Sequence, residues 1–410
     1  MSGAQAGCCI VGGGPAGMMA AMLFARAGVR TVLLEKHADF LRDFRGDTIH
    51  PSTLEVMDEL GLLETFLKRP HQEVTTLAGN LGDVLVTVAD FRHLPTRCKF
   101  VAFMPQWEFL NFLAEEAKRF PCFDLRMQAR AEELIWENGR VAGVRAQTPS
   151  GPLEIRADLT IAADGRESVV RRYAGLDVRE LGAPMDVLWL RLTKRPDDPH
   201  QTFGYIRDGR IMALIDRGAY WQCAYVIPKG TLAEMQTRGL DEFRRQVGAI
   251  VPFLGDRVGE IERWDDVKLL TVRVNRLRQW YRSGLICIGD AAHAMSPIGG
   301  VGINLAIQDA VAAANMLGPK LLRGGVSVGD LRAVQRRRES AARLTQAVQL
   351  FIQSKIIGRV LANGKTPLLQ RLPGLVRWFP FLPRIPGRLV GVGFRPEHLN
   401  RTALEENAVI

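Results

Sequence analysis

The chain has 410 residues, of which 24% are charged and 47% hydrophobic, an ordinary composition for a soluble folded protein with length for two or more domains. A net charge of +10 and a pI of about 9.6 admit nucleic acid, an anionic membrane or an acidic ligand as partners. The basic residues are spread out apart from Arg336-Arg337-Arg338, whereas nucleic-acid binding wants clustered cations interleaved with aromatics, so no nucleic acid is expected.

Met1 to Ala6 has no basic segment before an apolar one, so it is not read as a secretory signal. No run is long and apolar enough to span a bilayer, and the expected location is the cytoplasm. Cys8 to Val11 reads as a buried parallel strand. The six cysteines (8, 9, 98, 122, 223 and 287) show no metal spacing, and no metal is expected. Gly12-Gly13-Gly14-Pro15-Ala16-Gly17 follows, then a helix over 15–28 ending at Gly28. Thr31 to Leu34 is a second strand, closed by Glu35 and Lys36. In this strand–turn–helix–strand setting Gly12 permits the turn and Gly14 lets backbone approach a diphosphate. Gly17 lets the helix pack close, and the helix N-terminus faces the anion. A carboxylate at Glu35 is placed for a ribose diol.

Leu159 to Ala163 is an apolar strand ending at Asp164-Gly165, a pair that alone is an ordinary turn. Residues 185–228 read as β, with a hairpin turn at Asp208-Gly209. Trp189, Tyr205, Met212 and Tyr225 are candidates to line a substrate wall on that sheet, or else core residues. Leu285 to Ile288 is a further strand, closed by Gly289-Asp290. Pro297 to Gly302, with Gly299 and Gly300, has almost no side-chain bulk, so a flat ring such as a flavin could lie on its backbone. A helix from Ile303-Asn304 to 317 would aim its N-terminus at that ring and stabilise negative charge there. His293 is either a satisfied loop histidine or catalytic.

Residues 330–361 read as one long amphipathic helix with Leu344, Val348, Phe351, Ile352 and Ile356 on its apolar face. Beyond it, Leu372 to Arg384 is apolar, aromatic and basic, and broken by prolines. It could cover a hydrophobic substrate, form a dimer contact, touch an anionic membrane surface or simply pack against the first domain; a lid or wall is preferred to a membrane anchor, since prolines oppose a long surface helix. The expected organisation is α/β. A discontinuous nucleotide-binding domain takes residues 1–73, 101–180 and 273–335. A mostly antiparallel β domain takes 74–100 and 181–272, and a helical segment takes 336–410.

The glycine fingerprint, Asp164-Gly165 and Gly289-Asp290, in that order, resemble the motifs of the single-component FAD-dependent aromatic hydroxylases, the p-hydroxybenzoate hydroxylase-like flavoprotein monooxygenases. The resemblance covers about residues 5–335 and places Arg45 against FAD and Gln106 on its diphosphate side. It implies a Rossmann-like domain with resident FAD and NADPH or NADH as a transient co-substrate. It also implies O2, and oxygen transfer from a C4a-hydroperoxide to an electron-rich, phenol-like ring. The implied cofactor set is Gly12, Gly14, Pro15, Ala16, Gly17, Glu35, Lys36, Arg45, Gln106, Asp164, Gly165, Gly289, Asp290, Pro297, Gly300, Gly302, Ile303 and Asn304, with Pro297, Gly299 and Gly300 at the reacting edge. The apolar, aromatic second domain and tail suggest a bulky hydrophobic substrate; the expected state is a monomer or homodimer. A halogenase is disfavoured, because Trp221 to Pro228 does not match its Trp-x-Trp-x-Ile-Pro strand and Phe44 to Thr53 has no lysine. A prenyl-chain reductase and a non-catalytic flavin sensor remain alternatives.

Overall fold

The computed structural model describes residues 2–41, 48–82, 84–199, 202–363 and 367–400. Its first sheet is built on the strand Ser2–Val11. This strand lies parallel to Thr31–Leu34 on one side and to Gly151–Ala162 on the other, with Phe123–Arg126 and Leu285–Cys287 beyond them. Cys8, Cys9 and Ile10 are fully buried, because helices or a β-hairpin cover both faces of the sheet. Burial pushes the Cys9 thiol up to about 12, which fits an inert core residue.

The first helix, Pro15–Arg26, buries every residue from Ala16 to Ala25. It packs against the helices Gln106–Ala117 and Gly302–Leu322 within one core. Its end is fixed by Gly28 at φ 84°, where Val29 N donates to Phe24 O and Gly28 N to Ala25 O, a Schellman closure.

The second sheet has seven strands. Their order is Lys268–Leu270, Met185–Thr193, Tyr220–Pro228, Arg210–Asp216, Phe203–Arg207, Thr76–Leu81 and Val84–Asp90. All pairings are antiparallel except Phe203–Arg207 with Thr76–Leu81. Asp208 at φ 48° and Gly209 at φ 74° make the two-residue hairpin turn that their sequence predicts. One face is backed by the helix Leu240–Ile250.

A helix from Val328 to Ile352 opens with a reciprocal cap between Ser327 and Asp330 and runs across the expected boundary at 335/336. It continues through a π-helical turn at Gln353–Ile357 into Gly358–Asn363. Its buried face is not the apolar stripe. Leu344, Val348 and Phe351 are 48%, 36% and 57% exposed, while Gln346, Gln349 and Gln353 are buried. The cause is the irregular loop beneath. Gln346 Nε2 donates to the carbonyls of Asn275 and Ala294, Gln349 Nε2 to those of Ser296 and Ile298, and Gln353 Nε2 to Ser296 Oγ. Buried loop backbone needs partners, and that need outweighs the burial of a few apolar side chains. Helical structure also continues across Pro373 in Pro367–Trp378, before a last helix, Arg384–Gly391.

Candidate active site

Two glycine turns far apart in sequence meet at the end of the parallel sheet. A Cβ on Gly289 would lie 3.0 Å from Ala16 Cβ and 3.1 Å from Ala306 Cβ, so Gly289 is wedged between the first helix and the helix Gly302–Leu322. Within the first turn, a Cβ on Gly17 would sit 1.9 Å from Gly12 O, which fixes glycine there. Around Gly14, by contrast, a Cβ would meet nothing within 4 Å. That open space faces the start of a helix with no side-chain cap. Gly13 N donates to Glu35 Oε2 at 2.9 Å and His37 N to Glu35 Oε1 at 3.0 Å, which aims the buried carboxylate at the turn. Lys36 is exposed, and Gln106 is half-buried at the first position of its helix.

The two acidic motifs line the same end. Asp164 Oδ2 accepts from Val169 N and Val170 N. Its Oδ1 is buried and has no partner among the described residues. Burial pushes this carboxyl above its ordinary range, against the bonds from Ser168 and the helix N–H groups. Asp290 is half-exposed, with Arg166 Nη2 3.4 Å from Oδ2.

Beyond Gly289 lies a buried charged cluster. Asp309 accepts from Gly289 N at 3.1 Å, from Arg338 Nε at 3.0 Å, and faces His293 Nε2 at 2.6 Å. Burial alone would raise the Asp309 carboxyl. His293 and Arg338 outweigh it and hold the carboxyl below its usual range. His293 is 1% exposed and belongs to this cluster, and its Nδ1 is buried without a partner among the described residues.

The bare loop is held from one side by Thr48 to Thr53. Gly299 and Gly300 have φ of 76° and 64°. Thr48 Oγ1 donates to Gly300 O at 3.1 Å. Asn304 Nδ2 donates to Thr48 O, and its Oδ1 accepts from His50 N and Thr53 Oγ1, so its side chain serves the protein. His50 Nδ1 lies 2.7 Å from Val390 O. A carbonyl only accepts, so Nδ1 carries the proton and Nε2 is left as an acceptor. That Nε2 lies 3.5 Å from where a Cβ on Gly300 would be. Burial lowers the His50 ring to about 4, so it is neutral at physiological pH. Val390 Cγ2 stands 3.6 Å from the Cβ position of Gly299. Pro297, Gly300 and Gly302 are half-buried, Gly299 is exposed, and Ile303 is buried at the helix start. Arg45 lies outside the described residues.

The expected substrate wall needs correction. Met212 and Tyr225 pack with Phe243 and Val247 on the face backed by Leu240–Ile250, and Tyr205 packs beside them. Strand alternation puts Trp189 alone of the four on the opposite face. On that face the register aligns Trp189, Ala224, Ala213, Gly204 and Gly79 in one row across five strands. Ile215, two residues from Ala213 on the same face, packs against the same buried cluster as Val390, that of Ala89, Phe91, Leu94, Val101 and Phe103.

A family profile described as an FAD binding domain matches residues 5–348. The 6-methylpretetramide 4-monooxygenase of Streptomyces rimosus is 34% identical over 368 residues, covering 88% of this chain and 87% of that protein. This chain is a member of the FAD-dependent aromatic hydroxylase family. The para-nitrophenol 4-monooxygenase of a Pseudomonas species is 25% identical over 316 residues, 74% of this flavoprotein and 75% of that one. In fold, the flavoprotein matches the solved OxyS anhydrotetracycline hydroxylase from Streptomyces rimosus. The TM-score is 0.75 at 23% identity, covering 94% of this chain and 76% of that one.

The residues present fit FAD. The space at Gly14, the uncapped helix start behind it, the buried Asp164 Oδ1 without a partner among the described residues and the bare Gly299-Gly300 loop are features such a group would use. Sequence reading missed His50, Arg166, Gln349 and Val390, which hold this site through single hydrogen bonds or contacts. Only His50 carried a signal, a histidine just before Pro51 at the start of a helix.

Proposed function

We propose that this monooxygenase hydroxylates a flat, hydrophobic, phenol-like substrate of several rings, using NADPH or NADH and O2. The observation that carries the reading is the row Trp189, Ala224, Ala213, Gly204 and Gly79. Four of its five side chains are a methyl group or nothing, so the sheet presents a smooth floor with one aromatic border. A planar ring system covers such a surface without voids. The tetracycline-type names of the relatives support a polycyclic substrate.

In this reading Gly14 and the N-terminus of Pro15–Arg26 take the FAD diphosphate, Glu35 the ribose, and Asp290 the ribityl chain. Asp164 Oδ1 accepts from a donor on FAD or on the arriving nicotinamide nucleotide. Bound FAD supplies the redox chemistry that activates O2. The N-terminus of Gly302–Leu322 stabilises negative charge at the Gly299-Gly300 loop. Apolar Val390 and Ile215 exclude water from the end of the floor.

The test is NADPH and NADH oxidation in air by the purified protein, with single-ring phenols and polycyclic phenols, products being weighed by mass spectrometry. The reading predicts consumption stimulated by polycyclic phenols, with a product one oxygen heavier. Stimulated turnover that persists without O2 and adds two hydrogens would replace it with a reductase.

A further inference from the structure

The basic residues are spread along the chain, but the excess of positive over negative charge falls largely in one stretch that lacks acidic residues. Residues 340–396 contain nine lysines and arginines and no aspartate or glutamate, which accounts for nearly all of the net +10. Six of these cations stand on the described surface without a carboxylate partner. Lys355, Arg359, Arg371, Arg377, Arg384 and Arg388 are exposed, and none is paired with a carboxylate among the described residues.

Large apolar side chains stand among them. Trp378 is 81% exposed, Phe379 48%, Phe381 52% and Ile385 55%. From Arg371 to Val392 every residue is arginine, glycine, proline or apolar. The patch continues onto the edge strand Val84–Asp90, which contacts both terminal helices and exposes Val84, Leu85 and Val88. A soluble surface rarely carries so much contiguous apolar area.

This wedge is fixed firmly to the rest of the molecule. Asp90 N donates to Pro383 O at 2.9 Å. A Cβ on Gly387 would lie 2.1 Å from Asp90 O, so the last helix lies directly on the edge strand. Its far end is Val390, which meets the bare loop and His50.

We propose that the segment from Arg371 to Arg388, with the edge of Val84–Asp90, docks this enzyme on an anionic lipid bilayer. Exposed Trp and Phe suit the depth of the headgroups, and unpaired arginines beside them suit lipid phosphates. Charge complementarity decides among the occupants. A second copy would bring an equally cationic face against this one. Nucleic acid recognition draws on amide and hydroxyl side chains, which residues 371–392 lack. A bilayer offers both the anionic layer and the apolar layer. Docking there brings the Val390 end of the site close to any hydrophobic substrate dissolved in the lipid.

The test is flotation of the FAD-loaded, full-length protein with vesicles of phosphatidylcholine alone or with added phosphatidylglycerol. The expected result is co-flotation with the phosphatidylglycerol vesicles only, weakening as salt is raised. An Arg377→Gln, Arg384→Gln, Arg388→Gln variant should lose about a hundred-fold in partitioning, at roughly five-fold per cation. A Trp378→Ser, Phe381→Ser variant should lose binding with FAD content and melting temperature unchanged. A Lys118→Gln change on the distant helix end should leave binding unaltered. No flotation with phosphatidylglycerol at low salt would overturn the proposal. So would a doubled mass in light scattering that Trp378→Ser, Phe381→Ser abolishes, or tighter binding to a DNA duplex than to the vesicles.

Discussion

Gly14 and Gly17 stand three residues apart in one turn, yet an added methyl group acts on them through different physics. At Gly17 it meets the Gly12 carbonyl at 1.9 Å, so backbone must move. Gly17→Ala is predicted to cost about 2–3 kcal/mol of stability even without FAD. At Gly14 the methyl group meets nothing, and the φ of −73° suits alanine. Gly14→Ala is therefore predicted to melt as the parent does without FAD, but to bind FAD at least about ten-fold more weakly. Melting curves of the apoproteins and FAD titrations separate the two. His50 offers a second test. Its folded value of about 4 lies below the ordinary 6.5, so between those values the unfolded chain binds a proton that the folded chain refuses. Its contribution is complete above about pH 6.5 and fades as pH falls towards 4, by about 3 kcal/mol in all. Denaturant titrations across that window should show the slope, and His50→Gln should flatten it. An unchanged slope in His50→Gln would place the titration elsewhere.

At the scale of the elements, legibility followed chemistry. The strands Thr31–Leu34 and Leu285–Cys287 and the Asp208-Gly209 hairpin were readable because burial and positive φ restrict the residue types allowed. The meeting of Gly289 with Ala16 was readable only as an ordered pair of motifs, since contact across the chain leaves no local pattern. The helix Val328–Ile352 was found but turned the wrong way. Periodicity reports which face is apolar, whereas here the buried face is chosen by hydrogen bonds to the 294–298 loop. That difference is measurable. Gln349 accepts from Ser296 N and donates to Ser296 O and Ile298 O. Gln349→Leu, which strands two buried backbone groups and one part-buried carbonyl, is predicted to cost about 3 kcal/mol and to speed FAD release. Phe351→Ser, two residues on and on the exposed apolar side, should stay within about 0.5 kcal/mol of the parent. Equal losses in the two variants would mean that the apolar stripe is buried after all.

Across the whole molecule, the last helix ties three parts together: the basic surface, the bare loop and the floor of the second sheet. Val390 bonds His50, touches the Gly299 position and shares one apolar cluster with Ile215. The floor begins two residues further on, at Ala213. If substrate is a planar ring system lying there, bulk at Ala213 removes the space that distant rings need and leaves the reacting ring's end open. Ala213 is only half-buried, at the margin of the cluster of Val187, Ala224, Val272 and Val274, which leaves a larger side chain room to stand on the sheet. Ala213→Phe is therefore predicted to keep FAD content and melting temperature. It should cut kcat/KM for a polycyclic phenol by at least about ten-fold, mostly through KM, as expected when a pocket loses room for bulk. Turnover of any single-ring phenol the enzyme accepts should change less than about two-fold, because one ring reaches only the loop end of the floor. Parallel losses on both substrates would show that Ala213 acts on the flavin end, and the polycyclic reading would fall with it.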